Sequence, residues 1–146
     1  MDLETLVAER EIARAIHAFA RAMDARDWGA LDAVLVADAT ADLGMGPVKG
    51  RAAIVAFMRT FLDDCGPTQH LIGNLDVDVD GDRATSRCYV SDTHQGAGAK
   101  AHLTFSTLGE YHDDWARLDG RWWLVHRRKL NRAHIGSIEV LGPGPR

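Results

Sequence analysis

Apolar residues recur every three or four positions over residues 3 to 24. Ile12, Ile16, Phe19, Ala20 and Met23 share one face, with Glu9, Arg10, Arg14 and Arg21 opposite. That spacing predicts one long amphipathic helix. A second, shorter helix is expected after Asp27, a residue type suited to an N-cap, through WGALDAVLVAD. ATADLGMGPVKG alternates and carries glycines, which predicts a short strand and a turn. Gly50 then leads into a third helix, RAAIVAFMRTFLDD, with Ile54, Phe57, Met58 and Phe61 on one side.

From residue 67 onward the period changes to two. LDVDVDGDRATSRCYV predicts a hairpin turning at Asp80-Gly81, and AKAHLTFSTLGEYHDDW and GRWWLVHRRKLNRAHI predict two more long strands joined at residues 118 to 120. The expected order is three helices followed by four long strands, with one short strand between the second and third helices. Helices segregated before a mostly antiparallel sheet make an α+β layer structure, because an apolar sheet face needs a layer across it. A sheet that curls around the long helix leaves a pocket between them. Residues 136–146, rich in Gly and Pro, are expected to leave the sheet as a tail.

The chain of 146 residues has the length of one domain, 1–146, able to bury its own core. Apolar residues are 46% and charged residues 26%, which suits a folded globular protein. A net charge of -4 argues against nucleic acid as a partner, and the one basic run, HRRKLNR at 126 to 132, reads as a strand with solvated side chains. Cys65 and Cys88 are too few for a disulfide framework and lack zinc spacing, so both are expected as buried thiols. The acidic N-terminus is unlike a signal peptide and no apolar run approaches the ~20 residues of a membrane span, so no membrane association and a cytoplasmic location are expected.

Two residues draw chemical attention. Asp24 lies four residues after Ala20 and eight after Ile16, on the apolar face at the helix end. There it either caps the helix toward water or stands at the mouth of the cavity as a functional carboxylate. His70, in PTQHLIGN, falls by strict alternation on the wetter side with Asp76 and Asp78, opposite Leu71, Leu75, Val77 and Val79. Gly73 leaves room for a bulge that would reverse the facing and turn His70 inward.

The arrangement of MDARDW, QHLIGN, VDGDRATSRCYV and DGRWWLVHRR resembles the SnoaL-like branch of the NTF2-like superfamily, an α+β cone, over nearly the whole chain. The parallels within it are scytalone dehydratase, hexachlorocyclohexane dehydrochlorinase and bile-acid 7α-dehydratase. The resemblance implies that Asp24 and His70 form a dyad, with His70 as base and Asp24 fixing its tautomer. It further implies a pocket-facing arginine at Arg127, five residues after Trp122, or at Arg128 if the register differs by one. Dehydratases of this group supply tyrosines, one about a turn before the aspartate, where this chain has Phe19. Tyr89, Tyr111 or His102 would then have to supply a donor, and His102 is the nearest analogue of the later-strand histidine.

Phe19, Tyr89, His102, Trp28 and Phe57 are accordingly expected to contact substrate. His17 is expected to line the pocket or border the core. No metal and no cofactor is called for, and the remaining histidines have no ligand spacing. The reading that follows is a cofactor-independent lyase performing β-elimination, a dehydratase or dehydrohalogenase, on a small hydrophobic ring substrate. Alternatives are an isomerase or polyketide cyclase using the same pocket, and a non-catalytic binding or assembly module. Relatives pack their sheets together, so a homodimer or homotrimer is expected.

Overall fold

The first apolar stripe folds as α1 (Leu3–Ala25). Asp2 caps it by accepting the backbone N–H of Thr5 at 2.8 Å, satisfying one of the orphan donors of the first turn. In the computed structural model, which describes residues 1–145, the helix stops at Arg26 in the left-handed conformation. The second expected helix is not formed. Trp28–Ala33 makes a short 3-10 turn, Asp27 gives it no side-chain cap, and the chain then extends as β1 (Leu35–Asp42). Leu31, Val34 and Leu35 satisfy a helical spacing. Pairing of Leu35 beside Leu124 decides for a strand instead.

A tight reversal joins β1 to β2 (Pro47–Lys49). Gly50 leads into α2 (Arg51–Leu62), which buries Ile54, Met58 and Leu62. Four long strands follow: β3 (Thr68–Asp80), β4 (Arg83–Gln95), β5 (Thr104–Leu118) and β6 (Arg121–Gly136). The β3–β4 turn is Gly81-Asp82, one residue later than expected. Asp119 and Gly120, both at positive φ, close the β5–β6 turn, as a two-residue type I′ hairpin requires.

The six strands form one curved, unclosed sheet in the order β2-β1-β6-β5-β4-β3. Only β1 with β6 is parallel. The helices lie across its concave face, with Ile12, Ile16, Leu31, Ile54, Trp115 and Leu124 in the core between the layers. The tail folds back. After Gly136, a short turn Ile138–Val140 buries Val140, and Gly142 N–H donates to the Phe61 carbonyl of α2 at 2.9 Å. Among the described residues, no helix is long and apolar enough to cross a membrane.

Two irregularities control which side chains face inward. On β3, Asn74 and Leu75 together oppose Cys88, a bulge. It is Asn74, at φ 50, that takes the left-handed conformation, beside the glycine expected to allow it. Thr68, His70 and Ile72 therefore face inward before the bulge, and Leu75, Val77 and Val79 after it. On β6 an extra residue at Val125 does the same. Trp122 and Leu124 are buried on one side of it, and Arg127 on the other.

Candidate active site

Between the helices and the concave face lies a cavity of about 290 Å³. Phe19, Met23, Phe57, Phe61 and Phe105 give it a greasy wall, and Ile138 and Leu141 of the folded-back tail close one side. Three polar groups interrupt that wall.

The first is built on the end of α1. The His70 ring Nδ1 lies 2.6 Å from Asp24 Oδ1, and the His70 backbone N–H donates to Asp24 Oδ2 at 3.0 Å. Thr68 Oγ1 also donates to Asp24 Oδ1, at 2.9 Å. Burial raises the Asp24 carboxyl, but the bonds from His70 and Thr68 outweigh it and hold the group below the ordinary carboxylate range. An ionised Asp24 accepts only, so Nδ1 of His70 carries a proton, and in the neutral ring Nε2 is the lone-pair acceptor. Arg26 locks the corner, donating to Thr68 Oγ1 at 2.7 Å, Gly66 O at 2.9 Å, Met23 O at 2.7 Å and Leu62 O at 2.9 Å. One side chain thus ties the ends of α1 and α2 to the start of β3.

The second group lies on β4, β5 and β6. His94 stands edge-on to His70, ring centres 5.6 Å apart, and its Nδ1 donates to the Phe105 carbonyl at 2.9 Å. Burial lowers the His94 pKa below its ordinary value despite that bond, so the ring is neutral with Nε2 free. Asp92, fully buried, accepts the Thr107 backbone N–H at 3.0 Å and the Lys129 ammonium at 2.5 Å. Burial raises its pKa, but Lys129 and Thr107 overcome the penalty and leave it below the carboxylate norm.

One nitrogen each of His70 and His94 and one oxygen of Asp92 lie within 4.8 Å of one another. Two histidines anchored through Nδ1 and a carboxylate form a donor set a divalent metal could use. Lys129, however, already supplies a cation at Asp92. The cluster is charge-balanced as it stands.

The third group is Arg127. Its guanidinium makes a two-pronged pair with Asp113 at 2.8 and 2.9 Å, both side chains essentially inaccessible. Its carbon lies 4.2 Å from the Phe19 ring centre and 3.7 Å from that of Tyr111. Nη1 has no hydrogen-bond partner among the described residues.

His70, Asp24, Arg127, Phe19 and Phe57 are thus brought together, and Tyr111 lines the cavity beneath Arg127. Five expected neighbours stand elsewhere. Tyr89 is on the outer face of the sheet, because its odd position in β4 alternates with the buried Cys88 and Val90. His102 is exposed in the loop before β5, and the later-strand histidine at the cavity is His94 instead. Trp28 is core, its indole N–H bound to Asp63 at 2.9 Å, away from the cavity. His17 is exposed on α1. Arg128 is exposed too, since the Val125 bulge gives the inward place to Arg127. Of the two thiols, Cys88 is buried and Cys65 only half-buried.

Arg26, Asp92, His94, Asp113 and Lys129 were not anticipated. The alternation Ala84, Ser86, Cys88, Val90 carried on to Asp92 and His94 would have found those two.

Comparison with known proteins agrees with this architecture. The SnoaL-like domain family matches residues 4–128. The uncharacterized protein Rv2910c of Mycobacterium tuberculosis is 31% identical over 119 residues, 80% of each chain. An NTF2-like protein with a cystatin-like fold from Novosphingobium aromaticivorans superimposes with a TM-score of 0.75 at 27% identity, covering 89% of this chain and 85% of its own. A hexachlorocyclohexane dehydrochlorinase from Novosphingobium barchaimii superimposes with a TM-score of 0.83, covering 94% of each chain, at 18% identity. With its curved sheet, its helices laid across the concave face and a family match over most of its length, the chain belongs to the SnoaL-like domain family of the NTF2-like superfamily.

Proposed function

We propose that this protein is a cofactor-independent lyase that performs β-elimination on a compact, hydrophobic ring substrate. The observation that carries the reading is the Asp24–His70 pair, with Nδ1 bound to the carboxylate and the ring lining the cavity. Nε2 of His70 takes the proton from carbon, and Asp24 stabilises the imidazolium as it forms. The leaving hydroxyl or halide departs with its electron pair. For a hydroxyl, the His70 imidazolium returns the proton and the neutral His94 orients the O–H by accepting it. Arg127 contributes positive potential to the developing charge from between two rings.

The greasy wall of Phe19, Phe57, Phe61 and Phe105 supports a ring substrate without formal charge. Enolisation as an isomerase or polyketide cyclase would use the same base, and the second imidazole beside His70 is what favours elimination over it. Leu71, Leu108 and Ile135, exposed on the outer sheet face, support packing against a second copy of the chain.

A panel of cyclic hydroxy, halo and keto compounds, ranked by the rise in apparent melting temperature, supplies a substrate for the test. His70→Ala and Asp24→Asn are each expected to cut kcat by about 10²- to 10⁴-fold with the native circular dichroism retained. Unchanged turnover in both would refute the dyad.

A further inference from the structure

We propose that Lys129 is the oxyanion donor of this cavity, so that the substrate class is a cyclic carbonyl compound with its leaving group β to the carbonyl carbon. This rests on the elimination reading and specifies its activating group. Lys129 lines the cavity from β6, its side chain 16% exposed, and its ammonium meets Asp92 at 2.5 Å and Thr107 Oγ1 at 3.4 Å. An ammonium has three protons. Asp92 and Thr107 account for two, and the third is available to a ligand.

The surroundings keep it in that role. Asp92 is fully buried and bound by Thr107 on its other oxygen, so it cannot turn away from Lys129. An amine held as ammonium by a buried carboxylate is a hydrogen-bond donor, not a nucleophile. Gly109 occupies the inward position of β5 beside it, where a Cβ would lie 3.1 Å from Lys129 Cε and 3.0 Å from Val90 Cγ1. The missing side chain leaves room for the lysine stem. Asp92 also bridges base and donor, for the carboxylate that holds Lys129 lies within 4.8 Å of His70 and His94.

The chemistry calls for such a group. When Nε2 of His70 removes a proton from the carbon next to a carbonyl, the C–H pair becomes a C=C bond and the carbonyl π pair moves onto oxygen. That oxyanion forms inside an apolar wall, where an unpaired charge is strongly disfavoured. Lys129 donates to it. As the pair returns, the bond to the β leaving group breaks, and the group leaves as halide or, protonated by the imidazolium, as water. Losing one preorganised donor of this kind typically costs about 10²- to 10³-fold in kcat.

The test uses 4-nitrophenolate, a planar oxyanion, against 4-nitrotoluene, which has a similar shape and no charge, titrated at pH 8.5. The expected result is that the wild-type chain binds the phenolate at least about tenfold more tightly than the toluene, and that Lys129→Met abolishes the preference. Because that variant strands Asp92, the double variant Lys129→Met/Asp92→Asn is measured beside it and is expected to lose the preference too. A preference that survives in both variants, or none in the wild-type chain, overturns the proposal. Elimination lost in His70→Ala and Asp24→Asn with an unchanged phenolate preference in the lysine variants would sink the carbonyl assignment and leave the lyase reading standing.

Discussion

Asp113→Asn isolates what the Arg127 pair contributes. Among the described residues, Asp113 is the sole acceptor for a guanidinium whose side chain is 2% exposed and whose Nη1 is already unpartnered. Arginine cannot shed its proton to escape burial. Breaking a buried pair by removing one partner costs about 3–5 kcal/mol, a large fraction of the ~5–15 kcal/mol by which domains are stable. For 146 residues at about 2.1 cal/mol/K each, the unfolding entropy is about 0.3 kcal/mol/K, so the melting temperature should fall by about 10–16 °C. The assay is calorimetry at fixed protein concentration, with urea unfolding to check that the m-value is unchanged. Arg127→Met/Asp113→Leu removes both charges and fills the same space. It is expected to recover most of the loss while turnover stays depressed, which would separate the arginine's use from its effect on the fold. A melting point for Asp113→Asn within about 3 °C of wild type would refute the premise that this guanidinium is charged and shut off from water.

Two further outcomes follow from the titrating groups. His94, Asp24 and Asp92 all have pKa values below their ordinary ones, so the unfolded chain binds protons more readily than the folded chain in each window. Stability should therefore decline as pH falls below the ordinary histidine value of 6.5, by up to about 1.4 kcal/mol per pH unit, and again as it falls below 3.8. Urea midpoints at pH 7.5, 6 and 5 read the first limb, and His94→Gln should flatten it. Cys65 donates to the Val140 carbonyl at 3.4 Å and burial raises its pKa, while burial pushes the Cys88 thiol up to about 11. Val140→Asp, which breaks the seat of the tail, should speed labelling of Cys65 by a disulfide reagent at pH 8 by about tenfold or more and leave Cys88 inert.

Periodicity made the two real helices, the β3–β4 hairpin and the β5–β6 turn legible, since each is a local pattern that tertiary structure merely accepts. The segment after Asp27 was not legible, because Leu31, Val34 and Leu35 fit a helix as well as a strand and the deciding contact, Leu35 beside Leu124, is 89 residues away. The facing of His70 needed a bulge, which Gly73 suggested and Asn74 provides. Asp92 and His94 were readable from an uninterrupted alternation down β4, and the same alternation puts Tyr89 outside. Lys129 was not readable. Its inward place depends on the extra residue at Val125, which no glycine or proline announces.

Facing along a strand is a parity, and a bulge resets it. The far half of β3 seats Val77 and Val79 against the helices, and the near half presents Thr68, His70 and Ile72 to the cavity. Straightening the bulge with Asn74 still in the chain would leave the far half where it is and turn the near half inside out. Leu71 would enter the cavity and the imidazole would swing into bulk water, on a sheet otherwise intact. The left-handed kink at Asn74, which absorbs one residue, is as strict a requirement as the identity of the histidine itself.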